Sequence, residues 1–453
     1  MIELEDMGKP AVPIVSGRFE YDAIASARTY GMPDLQYVVV PRIYRNLNPE
    51  EPVQNTAPAF DAIVRMLTTN VFGESAQDDP SSAELQRFEG DDRFDAVLRM
   101  NEEYLLRDLG DGFPLLPPTR EAVDALIAGT RLRYDRVVCD MPPGFGIATV
   151  EKIAINAAMA GAKPEHMPVI IAAVKAASQI GGRGGKALLM STSPNAPLLM
   201  VNGPIAKELG INGKSALGPG LDNRVNITIG RAFSLCLRNI GQWYPGEMDM
   251  DTIGTTRKFV LCVAENEAMS PWEPYHVEKG FAPEDSTISI FITDGELDVQ
   301  DQGNDTAEGL LKTLAYGVSF GTRSIQGSND AERLIFMPPD VAGPIGASGF
   351  SKRGAKEFIH TFANGSLGKM IQYMPLKGEA RVAPQWKWLE GLTEEQLLDI
   401  TMPIVENPDR YDIVVVGADR AKTLVMPSGP SSVTVGIDEY KPRENSRRLK
   451  ART

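Results

Sequence analysis

The chain has 453 residues, 43% of them apolar and 23% charged, which is the make-up of a globular protein with room for two or three domains. Its net charge of −14 argues against a general nucleic-acid binder, because phosphates would be repelled. No apolar run reaches the roughly 18 residues of a membrane span, and the acidic start MIELEDMGKP lacks the apolar core of a signal peptide, so a cytoplasmic location is expected.

Residues 11–41 read as strand, helix, strand: 12–15 is a short apolar run, 21–29 is alanine-rich and 37–40 is β-branched. A helix is expected over 57–69, with Phe60, Ile63, Val64 and Leu67 on one face. Together these make a small α/β unit over 1–72, short of the strands a parallel sheet normally has. Residues 73–117 open acidic and polar and read as a linker or surface excursion.

The main domain is expected over 118–435. Thr119 can cap a helix, with Glu121 in its first turn. Residues 136–139 read as a strand and 142–146 as a turn, and Thr149 is the N-cap of a helix over 150–161. Pro168 opens the next helix, 168–178. Residues 181–185 (GGRGG) and 202–223 are loop-rich. A helix is expected over 226–240 and strands over 258–264 and 286–293, the latter by its alternation. Thr306 caps a helix carrying Leu310, Leu311, Leu314 and Val318. A strand at 334–337, a helix at 351–362 and strands at 413–416 and 423–426 complete the domain. The basic end, 436–453, reads as a disordered tail. Strands and helices alternate with no internal repeat evident. The expected class is α/β: a small, incomplete N-terminal α/β unit followed by a larger α/β domain with a mixed sheet.

Few residues point to chemistry. Cys139, Cys236 and Cys262 are far apart and form no CxxC pair, so neither zinc spacing nor a disulfide framework is suggested. They read as buried thiols in a reducing compartment. Gly144-Phe-Gly146-Ile-Ala-Thr149 follows a strand and opens a helix, where free N–H groups can hold an anion; the alternative is a plain structural turn. A dinucleotide fingerprint is incomplete, because Thr149 stands in place of its third glycine. The strings ending in Gly185-Lys186 and Gly213-Lys214-Ser215 both fail as phosphate loops: Ile180 and Glu208 stand where the first glycine belongs. Arg224, Arg231 and Arg238 recur every seventh residue and share one helical face. Arg231 can hold a substrate carboxylate bidentately there, or the face is merely solvated. Asn202 lies close enough in sequence to add amide hydrogen bonds.

The densest stretch is 261–281, LCVAENEAMSPWEPYHVEKGF, which starts as an apolar strand and turns acidic. It holds Glu265, Glu267, Glu273, Glu278 and His276, one of three histidines in the chain. A carboxylate beside an imidazole fixes its tautomer and raises its proton affinity, so Glu273, His276 and Glu267 are candidate acid–base groups. His276 could instead ligate a metal with Glu265 or Glu273, or be structural.

Four strings now resemble a known family. They are TVEKIAINAAMAGAKPEHMPVIIAAVKA (149–176), VNGPIAKELGING (201–213), NITIGRAFSLCLRNIG (226–241) and ENEAMSPWEPYHVEKGF (265–281). They look like the UGSC family, whose members carry a Sec-Gly-Ser-Cys or Cys-Gly-Ser-Cys motif, and the resemblance spans about 3–426. In that family the motif precedes a segment resembling residues 4–42. This sequence contains no CGSC, and its matching segment begins at Leu4. The resemblance therefore implies a small partner subunit that supplies the missing strand and CGSC-like residues, in an assembly that dimerises further. The alternatives are a motif lost or cut away. The selenocysteine of the family implies redox or nucleophilic chemistry; the substrate is expected to be a small organic molecule whose carboxylate Arg231 would hold. The rivals are a non-redox, metal-assisted lyase or hydratase, and a non-catalytic binding or scaffold subunit. No cofactor is identified.

Overall fold

The computed structural model describes residues 85–180, 189–246, 248–319, 332–370, 388–389, 391–429 and 432–443, with 9–17, 35–40, 56–68 and scattered single positions before them. Most of the helix expected over 21–29, and the glycine loop 181–185, lie outside the described residues.

Strands β1 (Ile14–Ser16) and β2 (Val38–Val40) pair in parallel, and α1 (Phe60–Thr68) follows. Ala62, Ile63 and Met66 of α1 cover Val38 and Val40. The span expected to be a linker holds a well-formed helix, α2 (Arg93–Leu106). Asp92 caps it by accepting the Asp95 N–H at 2.9 Å. Met100 of α2 is buried with Leu115, Met159 and Leu235, so this excursion is docked on the main body.

Helix α3 (Arg120–Ile127) is capped by Thr119 as expected. Next comes a hairpin of β3 (Val137–Met141) and β4 (Gly146–Thr149), and then α4 (Val150–Met159) and α5 (Met167–Gln179). The main sheet begins at β5 (Ala196–Asn202), a strand the sequence reading left unassigned. After β5 come α6 (Pro204–Leu209), α7 (Arg224–Asn239), β6 (Leu261–Ala264), the one-turn α8 (Tyr275–Glu278), β7 (Thr287–Thr293) and β8 (Leu297–Gln300). The second half holds α9 (Ala307–Val318), β9 (Glu332–Met337), α10 (Pro339–Ala347), α11 (Lys352–Phe362), β10 (Asn364–Ser366) and α12 (Leu367–Met370). Helix α13 (Glu394–Asp399) and strands β11 (Thr401–Pro403), β12 (Tyr411–Val415), β13 (Lys422–Ser428) and β14 (Val433–Gly436) end it. The fold is α/β with a mixed eight-stranded sheet, as the sequence indicates.

The sheet contains a repeat of topology. In the first lobe β5 pairs in parallel with β6 and antiparallel with β7. In the second, β9 pairs in parallel with β12 and antiparallel with β13. Each lobe then lends a strand to the other: β14 pairs with β7, and β8 with β13. The sequence reading saw no repeat because pairing order can recur without residues recurring.

Each lobe has its own helix layer. Helices α4, α5 and α7 cover Leu199, Val201 and Ile288, Ile290 and Ile292, while α9, α10 and α11 cover Ile335, Met337, Ile413 and Val415. The opposite faces of both lobes meet in one cluster that includes Leu198, Met200, Val263, Phe291, Leu334, Phe336, Val414 and Met426. Both sheet faces are therefore dry, and β5, β7 and β12 are buried at every position. The sheet curls so that its outer strands meet at their C-terminal ends. Asn266 donates its N–H to the Val415 carbonyl, and Gly417 donates to Gly213, both at 2.8 Å. The expected basic tail begins as packed structure: Ile437 and Tyr440 are buried, and Thr130 Oγ1 donates to the Tyr440 carbonyl.

Candidate active site at the seam of the two lobes

The register of β5 and β6 builds the site. Val201 lies opposite Ala264, so Asn202, the last residue of β5, and Glu265, the first residue past β6, stand side by side. The Glu265 N–H still donates to the Val201 carbonyl at 3.3 Å, and its side chain turns inward, 6% exposed. Asn202 is fully buried and bridges two carboxylates. Its Nδ2 donates to Glu265 Oε2 at 2.5 Å and to Glu267 Oε1 at 3.0 Å. Two carboxylate partners require the amide nitrogen on that side, which leaves Asn202 Oδ1 facing away. Gly203 N–H adds a 2.7 Å bond to Glu267 Oε1. Only glycine serves at 203: its φ is +81°, and a Cβ would sit 2.1 Å from the Asp285 carbonyl oxygen.

Helix α8 closes the other side. Tyr275 donates its backbone N–H to Glu265 Oε2 at 2.8 Å. His276 is completely buried, with Nδ1 4.0 Å from Glu267 Oε1. Both of its ring nitrogens lack a hydrogen-bond partner, as do Glu265 Oε1 and Asn202 Oδ1. Buried polar atoms are normally paired; here four atoms on three residues have no partner within the protein. Glu267, with its side chain 30% exposed, is where the cluster reaches the surface.

Burial is the main reason the Glu265 carboxyl is raised from its ordinary value to about 7. The Lys352 ammonium, the Tyr275 N–H and the Asn202 amide pull it back, and the Glu267 charge pushes it further up. Lys352 comes from α11 in the second lobe. Its Nζ donates to the Glu273 carbonyl at 2.8 Å and lies 3.1 Å from Glu278 Oε2. Lys356, one turn on, pairs with Glu278 Oε1. Burial pushes the Glu278 carboxyl up, but the two lysines outweigh it and hold it below its ordinary value.

Of the residues singled out in the sequence, the structure gathers Asn202, Glu267 and His276 here. The Glu273 carboxylate is not among them: the residue is exposed, and only its backbone oxygen faces inward, toward Lys352. Gly144, Gly146 and Thr149 have other work. The Gly144 N–H donates to Gly241, and a Cβ at Gly146 would lie 2.0 Å from the Ile240 carbonyl oxygen. The first N–H groups of α4 are also taken: Val150 donates to Arg136, Glu151 to Tyr134, and Lys152 to Thr149 Oγ1. That helix start keeps no free donors for an anion. Arg231 and Arg238 do share a face of α7, but the carboxylates they hold are internal. Arg231 makes two bonds to Asp111, at 2.7 and 2.9 Å, and two more to the carbonyls of Phe113 and Pro114. Arg238 pairs with Asp108. Among the described residues, no three His, Cys, Asp or Glu side chains are grouped to hold a metal ion. The sequence reading missed Lys352 and Lys356, and it counted Glu265 among the acidic groups of the 261–281 stretch and as a possible metal ligand without naming it a catalytic candidate. Its place directly after the apolar run LCVA was the available signal.

Residues 1–69 match the UGSC family model. The match is consistent with a UGSC-family protein and coincides with the small N-terminal α/β unit. The seam residues 202 and 265–278 lie beyond the UGSC match. No curated protein and no solved structure matches the chain. No described helix is long and apolar enough to cross a membrane.

Proposed function

We propose that this chain is the acid–base subunit of an enzyme acting on a small organic molecule, with Glu265 as the group that takes up and returns a proton. The observation that carries this reading is the state of the Glu265 side chain. One oxygen is pinned by Asn202 and Tyr275, and the other is buried without a protein partner; the imidazole of His276, the next residue after Tyr275, is buried in the same condition. A carboxyl poised near neutrality suits proton transfer in either direction. Glu267 and His276 then orient the ligand or pass the proton outward.

The family resemblance suggests thiol or selenol chemistry as well. The chain's own cysteines are poor candidates for it. Cys236 and Cys262 are buried and burial pushes both thiols up, Cys262 to about 12; Cys139 is raised by burial too. We therefore assign any reactive thiol or selenol to a small partner subunit bearing a CGSC-like motif. Native mass measurement of the active protein should find that second chain; activity in a homo-oligomer lacking it would refute the assignment. The Asn202-bridged carboxylates favour a second reading, a lyase or hydratase that needs no thiol. Because Arg231 is committed to Asp111, the reason for expecting a carboxylate on the substrate is gone.

A thermal-shift screen of small hydroxylated, amino and carboxylated compounds tests the site. At least one compound should raise the melting temperature of the wild type but not of Glu265→Gln or His276→Gln. Compounds that stabilise all three proteins equally, or none at all, would count against the reading.

A further inference from the structure

We propose that Lys352 of the second lobe is a positioning residue for the first lobe's acid–base site, and that the Lys352–Glu278 pair sets how tightly Glu265 holds its proton. This rests on the acid–base reading of Glu265 given above. The geometry is a clamp around one short segment. Lys352 Nζ grips the Glu273 carbonyl; two residues later, Tyr275 N–H grips Glu265; Glu278, at the end of the same turn, returns to Lys352. Lys352 is 6% exposed, so its charge acts through protein rather than water. Lys279, next in sequence, ties the segment to Asp412 of β12 at 3.0 Å, again across the lobes. The first lobe thus supplies the acids, and the second supplies the cation that holds them in place.

The charges that act on Glu265 are Lys352 on α11 and Glu267 after β6, and Tyr275 on α8 bonds it through its N–H; behind them His276 lies 4.0 Å from Glu267, Glu278 pairs with Lys352, and Lys356 pairs with Glu278. Their signs give opposite predictions for two variants. Lys352→Gln keeps a donor for the Glu273 carbonyl but removes the charge that favours the Glu265 carboxylate. The Glu265 midpoint should rise, by about one unit or more, a tenfold or greater gain in proton affinity. Glu278→Gln removes the anion that neutralises Lys352, so the midpoint should fall. A merely structural role would move both variants the same way, or neither.

The experiment is an infrared titration of the buried carboxyl in the full-length wild type, Lys352→Gln and Glu278→Gln proteins, with Glu265→Gln to assign the band. Opposite displacements support the proposal; parallel displacements or none overturn it. If Lys352→Gln does not fold, Glu278→Gln decides alone: a lowered midpoint supports the coupling, and an unchanged or raised one refutes it. A wild-type midpoint at the ordinary carboxylate value would instead sink the acid–base reading itself, which keeps the two failures distinct.

Discussion

Replacing Glu265 by glutamine should change how stability responds to pH. Burial lifts this carboxyl from an ordinary 4.5 to about 7 in the folded protein. In the unfolded chain it ionises near its ordinary value. Below that value both states carry the proton, and the full stability is present. As pH rises toward 7 the unfolded chain ionises while the folded one does not, so stability is lost through that window and then levels off. A gap of about 2.5 between the two values, at about 1.36 kcal/mol each, makes the loss ~3 kcal/mol. Glutamine has nearly the same shape and no charge to bury, so the variant lacks this loss. Urea denaturation of both full-length proteins from pH 4.5 to 8 is the assay. The stability difference should swing toward the variant by ~3 kcal/mol between the ends of that range. Parallel profiles would refute the raised proton affinity and the reasoning from burial behind it.

Three further outcomes follow from the same geometry. Arg231→Leu should destabilise the protein by about 2–4 kcal/mol, because the half-buried Asp111 carboxylate and two carbonyls lose their donor. Denaturation measures the loss, and ligand binding should survive it; a folded variant that no longer binds would return Arg231 to the site. Gly203→Ala should cost at least about 1–3 kcal/mol, from the positive φ and the collision with Asp285, and should weaken any ligand that depends on Glu267. A stability unchanged by that substitution would contradict the close approach. In alkylation followed by mass spectrometry at pH 8, Cys236 and Cys262 should resist in the native state and react once unfolded. Rapid native labelling of either would overturn their assignment as inert.

Much of the architecture is legible in local residue patterns. Thr119, Thr149 and Thr306 each cap the helix expected of them, because an N-cap bond spans only three residues. The alternation at 286–293 is real in residue type: Ile288, Ile290 and Ile292 face one helix layer while Phe291 joins the inner cluster. What alternation does not show is that both faces are buried, which depends on how the sheet curls. Strand β5 is not assigned from the sequence because its first six residues, APLLMV, are apolar throughout and carry no period. The site divides in the same way. Glu267 and His276 are legible as acid–base candidates in one stretch, but the pairing expected there is Glu273 with His276, and the Glu273 side chain is exposed. Glu265 shows its role only when its burial is known. Lys352 reaches Glu273 from 79 residues away and Lys356 reaches Glu278 from 78, through a tertiary contact between lobes. Arg231 misled for a related reason: spacing gives the helical face it occupies, but its partner, Asp111, is 120 residues distant.

The most direct test of the account is a carbon-13 NMR titration of the glutamate side-chain carboxyls in the full-length protein, with Glu265→Gln used to assign the resonance. The account predicts one carboxyl with a midpoint near 7 that disappears in the variant. A Glu265 resonance that titrates with the ordinary glutamates would contradict it.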